Sequence, residues 1–121
     1  MYKKRPVIYD ASKGYITISI DSGFITSGVY KIKITDGDKM ITVGEGNFDD
    51  NIKDIFLIPI NPAVLEDWML IIIADYAPAA GHTQISVNYN FLQQGAQFDA
   101  EPIRENKVAL AAHHDFTFQK K

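Results

Sequence analysis

The alternation in TQISVNYNFL, residues Thr83–Leu92, commits the chain to a β architecture. Ile85, Val87, Tyr89 and Phe91 fall at every second position, with Gln84, Ser86, Asn88 and Asn90 between them. A period of two is what a strand shows when one face rests on a core and the other meets water. The wet face of this strand is polar yet carries no charge.

The same grammar extends along the chain. Isoleucine outnumbers leucine, and the isoleucines sit in short runs separated by Gly, Asp, Asn and Pro, which is strand composition with turn punctuation. The spacing predicts strands over residues 7–10, 15–20, 29–35, 39–43, 55–60, 68–75, 83–92 and 108–118. The segment from Trp68 to Ala74 is apolar on both faces and is expected to be a central, covered strand, with Trp68 in the core. Pro59 limits the run Ile55–Ile60 to an edge or a bulge. Residues 93–106 read as irregular, a crossing between sheets or a short helix starting near Pro102. One hairpin is explicit: Asp36-Gly37 as a two-residue turn would place Thr35 opposite Asp38, Ile32 opposite Ile41 and Tyr30 opposite Val43. The expected fold is therefore all-β, an antiparallel β-sandwich of seven or eight strands, immunoglobulin-like or jelly-roll, forming one domain over residues 1–121.

Composition narrows function mostly by exclusion. The 121 residues include no cysteine, which removes disulfides, thiol catalysis and every cysteine-based zinc site. A net charge of −3 speaks against a nucleic-acid partner, for which a basic stripe is the usual mark. The longest apolar run is too short to span a bilayer, and no apolar stretch follows Lys3-Lys4-Arg5 as a signal peptide would require. The expected location is cytoplasmic, unless an export signal has been trimmed from the chain. Gly44-x-Gly46 lacks the third glycine and the following helix of a phosphate loop.

Three sets of residues could carry chemistry. The first is VALAAHHDFTF, Val108–Phe118, with adjacent histidines and an aspartate. On a strand His113 and His114 point to opposite faces, so one metal ion cannot take both through adjacent positions. His113 and Asp115 share a face and would need further ligands, with His82 the remaining histidine. The second set is acidic: Asp21, Glu45, Asn47, Asp49, Asp50, Asn51 and Asp75 fall on loops that alternate connections place at one end of the domain. Calcium takes six to eight oxygens from such loops. The third is a contact surface made of Phe24 and Ile25 in a glycine-flanked loop, Tyr76, and the polar strand face of Gln84, Asn88 and Asn90. Tyr9, Tyr15, Phe24, Phe48, Tyr76 and Phe98 read as loop or polar-side aromatics able to stack on sugars or a protein.

These sets support three expectations. The leading one is a non-catalytic interaction or structural module without a cofactor, associating with a protein partner or with itself through an edge such as Ile55–Ile60. The alternative is a calcium-binding or carbohydrate-binding module using the acidic loop end. The third is a hydrolase or metal enzyme built on His113 and Asp115.

Overall fold

The computed structural model describes residues 1–121 apart from Phe24, residues 50–52 and Lys107. Among the described residues, nine strands form two stacked sheets: β1 (Tyr2–Tyr9), β2 (Ile16–Asp21), β3 (Thr26–Thr35), β4 (Met40–Asn47), β5 (Asp54–Leu57), β6 (Met69–Pro78), β7 (Ile85–Gln93), β8 (Ala96–Glu105) and β9 (Leu110–Lys120). One 3₁₀ turn, Pro62–Val64, is capped by the Asn61 side chain. One sheet has the order β1-β9-β6-β3-β4 and the other β5-β2-β7-β8. Every pairing is antiparallel except β1 with β9, which is parallel. No helix among the described residues is long and apolar enough to cross a membrane.

The sandwich follows from alternation on both inner faces. Ile16, Ile18 and Ile20 of β2 and Ile85, Val87, Tyr89 and Phe91 of β7 face Ile32 and Ile34 of β3, Leu70, Ile72 and Ala74 of β6, and Phe116 and Phe118 of β9. All are buried. Burial of apolar side chains at roughly 25 cal/mol per Å² supplies the main favourable term for such a core.

The strand count exceeds seven or eight because the stretch expected to be irregular is β8. Gln94 and Gly95 both have positive φ, 53° and 75°, the requirement of a two-residue hairpin turn whose twist matches the flanking strands. Gln93 accordingly pairs with Ala96. There is no helix near Pro102; it lies within β8, at the edge of its sheet, where a missing N–H is tolerated. A register shift leaves Phe98 as an extra residue between Gln97, opposite Leu92, and Asp99, opposite Phe91.

The β3–β4 hairpin also departs from the expected register. Thr35 pairs with Met40 and Ile34 with Ile41, so the loop holds four residues, Asp36 to Lys39. Side-chain hydrogen bonds explain the longer turn. Asp36 Oδ1 accepts from the N–H of Asp38 and of Lys39, while Thr35 Oγ1 accepts from the N–H of Gly37 and donates to the Lys39 carbonyl. A bulge at Val43 then sets Ile32 opposite Gly44 and Tyr30 opposite Gly46.

Three further expectations resolve on position. β6 is central, yet its outer face is open: Ile73 is 47% exposed. β5 ends at Leu57, before Pro59, and lies at the edge of the four-stranded sheet. β9 begins at Leu110, two residues later than the alternation suggested. Near the start of β3, Gly28 has φ 117° and a side chain there would run into the Asp75 carbonyl, so β3 and β6 approach closely only because position 28 is glycine.

Candidate functional site

The pleat of β9 separates the two histidines as alternation requires. His114 faces inward and is fully buried, whereas His113 lies on the outer face of the five-stranded sheet and is half-exposed. Around His114 the core is polar. Its Nε2 lies 3.0 Å from the Tyr76 hydroxyl, which lies 2.5 Å from the Tyr89 hydroxyl. Burial is the main reason the His114 imidazole is pushed down to about 4. Lys3, which pairs with it from β1, His113 and the terminal amine add to that, against a smaller upward pull from Asp115. Burial also raises the Tyr76 and Tyr89 phenols.

Tyr76 is therefore not a contact residue. The strand continues to Pro78, which gives Tyr76 the parity of Leu70, Ile72 and Ala74 and turns it inward, 1% exposed. Tyr9 takes the inward parity of Val7 on β1, and Phe48, just past β4, is buried against Tyr30 and Tyr76; among the described members of the expected aromatic set Tyr15 is exposed and Phe98 partly buried.

On the outer face, His113 Nε2 and Asp115 Oδ1 are 2.8 Å apart. The third member was not foreseen. Tyr2 donates its hydroxyl to Asp115 Oδ2 at 2.7 Å, and its ring lies 5.3 Å from that of His113. This hydrogen bond raises the Tyr2 phenol. The parallel pairing of β1 with β9 sets Tyr2 opposite His113, and no local pattern announces a pairing between the two ends of a chain. With both carboxylate oxygens engaged, Asp115 is buried beneath its neighbours. His82 is exposed in the loop after β6, and no group of three His, Cys, Asp or Glu among the described residues is placed to hold a metal ion.

The acidic set is likewise dispersed. The loops after β2, β4 and β6 do share one end: Ser22 Oγ donates to the Phe48 carbonyl, and the Ala79 N–H donates to the Ile25 carbonyl. Their carboxylates nevertheless diverge. Asp21 points outward from the four-stranded sheet and Asp75 outward from the five-stranded sheet. Glu45 is paired with Lys31 at 3.8 Å, and Asn47 Oδ1 accepts from the Asp49 N–H. Asp50 and Asn51 lie outside the described residues, as does Phe24 of the expected contact loop.

The outer face of the four-stranded sheet gathers most of the remaining contact set. One row runs Ile55, Ser19, Asn90, Ala100 and the next runs Leu57, Thr17, Leu92, Gln97. Asn90 donates from Nδ2 to Ser19 Oγ at 3.3 Å, and Asn88 Oδ1 accepts from Arg104 at 3.0 Å. Gln84 is exposed just before β7, and Ile25 is partly buried. Within the strands, the charges on this face are Asp21 at one end and Arg104 on the far strand. At the β5 edge Ile55 and Leu57 are 62% and 54% exposed. The opposite side of the sandwich is closed instead: Arg5 of β1 reaches Asp99, Glu101 and the Ala100 carbonyl of β8.

No family model matches the chain, and neither a curated protein nor a solved structure matches it.

Proposed function

We propose that the chain is a non-catalytic β-sandwich module that associates with copies of itself, using the open β5 edge of the four-stranded sheet and the outer surface beside it. The observation that carries this reading is the pairing of exposed Ile55 and Leu57 with a polar, nearly uncharged sheet face. Isolated surface hydrophobes are ordinary, but two neighbouring ones on the same face of an edge strand, with no charge between them on that face, are a recognised liability unless covered. A face without a charge pattern has little with which to select a charged partner. Two copies bring no like charges together there.

The His113–Asp115–Tyr2 cluster carries no comparable reading: Asp115 is buried with both oxygens bonded, and among the described residues no third His, Cys, Asp or Glu joins the pair to hold a metal ion. Light scattering coupled to gel filtration tests the proposal. Mass should rise with concentration for the natural chain and stay monomeric for Leu57→Arg. A natural chain that shows no rise in mass up to millimolar concentration overturns it.

A further inference from the structure

Resting on that reading, we infer the geometry of the contact: two copies pair their β5 strands antiparallel across a two-fold axis at Phe56, joining two four-stranded sheets into one of eight. The argument begins with the direction of backbone groups. Ile58 donates its N–H to the Ile16 carbonyl at 2.9 Å, and β5 pairs with β2 in the register Leu57 with Thr17, Phe56 with Ile18, Ile55 with Ser19 and Asp54 with Ile20. In an antiparallel ladder, successive residues direct their N–H and C=O alternately toward and away from a given neighbour. Asp54, Phe56 and Ile58 therefore turn toward β2, and Ile55, Leu57 and Pro59 turn toward the open edge.

This parity makes the edge self-complementary in one register. With the axis at Phe56, Ile55 lies opposite Leu57 of the second copy, and the reverse. Each opposed pair exchanges two main-chain hydrogen bonds, four in all, and both side chains stand on the same outer face as an apolar cross-strand pair. Moving the axis to Leu57 sets Pro59 opposite Ile55, and proline has no N–H to give. Moving it to Ile55 sets Lys53 opposite Leu57, trading an apolar pair for a charge. Electrostatics does not oppose the favoured register, since the one charged side chain of β5, Asp54, faces inward and accepts from the Tyr30 hydroxyl.

The other edges are defended. β1 carries Pro6 among Lys3, Lys4 and Arg5, β4 has the bulge at Val43, and β8 has its own bulge and Pro102. These are the devices that keep sheet edges from pairing. β5 is short and turns its one charge, Asp54, inward, but within its four residues it has no bulge, no proline and no lysine.

The absence of cysteine from the chain allows a selective test. Ile55→Cys and Leu57→Cys change exposed side chains, so neither disturbs the core. Across the axis at Phe56, positions 55 and 57 of opposite copies have Cα atoms about 5.5 Å apart, within disulfide reach, whereas identical positions are offset by two residues and lie about 8 Å or more apart, beyond it. An oxidised mixture of the two variants, which are equal in mass and so are told apart by uniform nitrogen-15 labelling of one of them, should give at least ten times more disulfide-linked heterodimer than either gives homodimer. A mixture that cross-links no better than the single variants overturns the register. If the natural chain still gains mass with concentration, only the register has failed. If it stays monomeric as well, the self-association reading has failed with it.

Discussion

The hydroxyl of Tyr76 stands 3.0 Å from Nε2 of His114, and both side chains are sealed between the sheets. A neutral imidazole and the phenols of Tyr76 and Tyr89 carry three polar hydrogens among them, while the chain has two contacts, and Nδ1 of His114 has no hydrogen-bond partner. Protonation adds a fourth hydrogen and a charge where water cannot reach. The imidazole accordingly stays neutral, with its pKa lowered from 6.5 to about 4. A cationic group whose folded pKa lies below its unfolded value binds protons more readily when unfolded. Its contribution is therefore complete above about pH 6.5 and lost as the pH falls toward 4. We expect stability to drop by about 3 kcal/mol over that window on this account, and His114→Phe to remove that limb. Urea denaturation at half-unit pH steps measures it, and a limb of equal depth in the variant would assign it to other groups.

Arg5 fastens the side of the sandwich opposite β5. Its guanidinium meets Asp99 with two nitrogens at 2.9 and 3.0 Å, Glu101 at 3.1 Å and the Ala100 carbonyl at 3.0 Å, and lies 5.4 Å from the centre of the Phe116 ring. The hydrogen bond to Asp99 is the main reason its pKa is raised. Arg5→Ala removes these bonds and leaves two half-buried carboxylates without their cation. It should lower stability by about 2 kcal/mol. Arg5→Lys should recover only part of that, because an ammonium cannot fork to a carboxylate. Equal midpoints for Lys and Arg in chemical denaturation would show that charge alone suffices.

Alternation made the sandwich legible, because both inner faces obey a period of two; β7 and β2 can be placed from their residues alone. What escaped depends on the ends of elements and on pairings distant in sequence. Tyr76 was misplaced because β6 runs four residues past the apolar stretch that marks it. β8 was hidden because Gln94 supplies a positive φ usually met by Asn, Asp or Gly, and because Phe98 breaks the alternation. Tyr2 and Arg5 reach Asp115 and Asp99 across 113 and 94 residues, and no local pattern encodes such contacts. The β5 edge was legible, since Pro59 stops the strand.

Gly44 of β4 and Phe56 of β5 meet where the two sheets close beside that edge. A Cβ at position 44 would run into the Phe56 ring, which packs edge-on against Tyr30 at 6.1 Å. Gly44→Ala should therefore destabilise by about 1–3 kcal/mol through overpacking. Phe56→Leu destabilises on its own, but in the double variant the alanine should cost little further. A double-mutant cycle read by thermal or chemical denaturation gives the coupling, expected at about 1 kcal/mol or more. Additive effects would mean that the ring moves aside without penalty.

Calcium should leave the thermal midpoint of the chelator-treated protein unchanged. The ion needs six to eight oxygens at 2.3–2.6 Å, and the described carboxylates near the loop end do not converge. Asp21 and Asp75 project from opposite outer faces, Glu45 is held by Lys31, and Asn47 is tied to the Asp49 backbone. Any ion bound only by the folded chain would raise the midpoint by mass action, with about 2.7 kcal/mol of stabilisation at a hundredfold excess over its dissociation constant. An upward shift at millimolar calcium would therefore require ligands beyond these four. The adjoining Asp50 and Asn51 would then be the residues to replace first, with Asp50→Asn expected to abolish the shift.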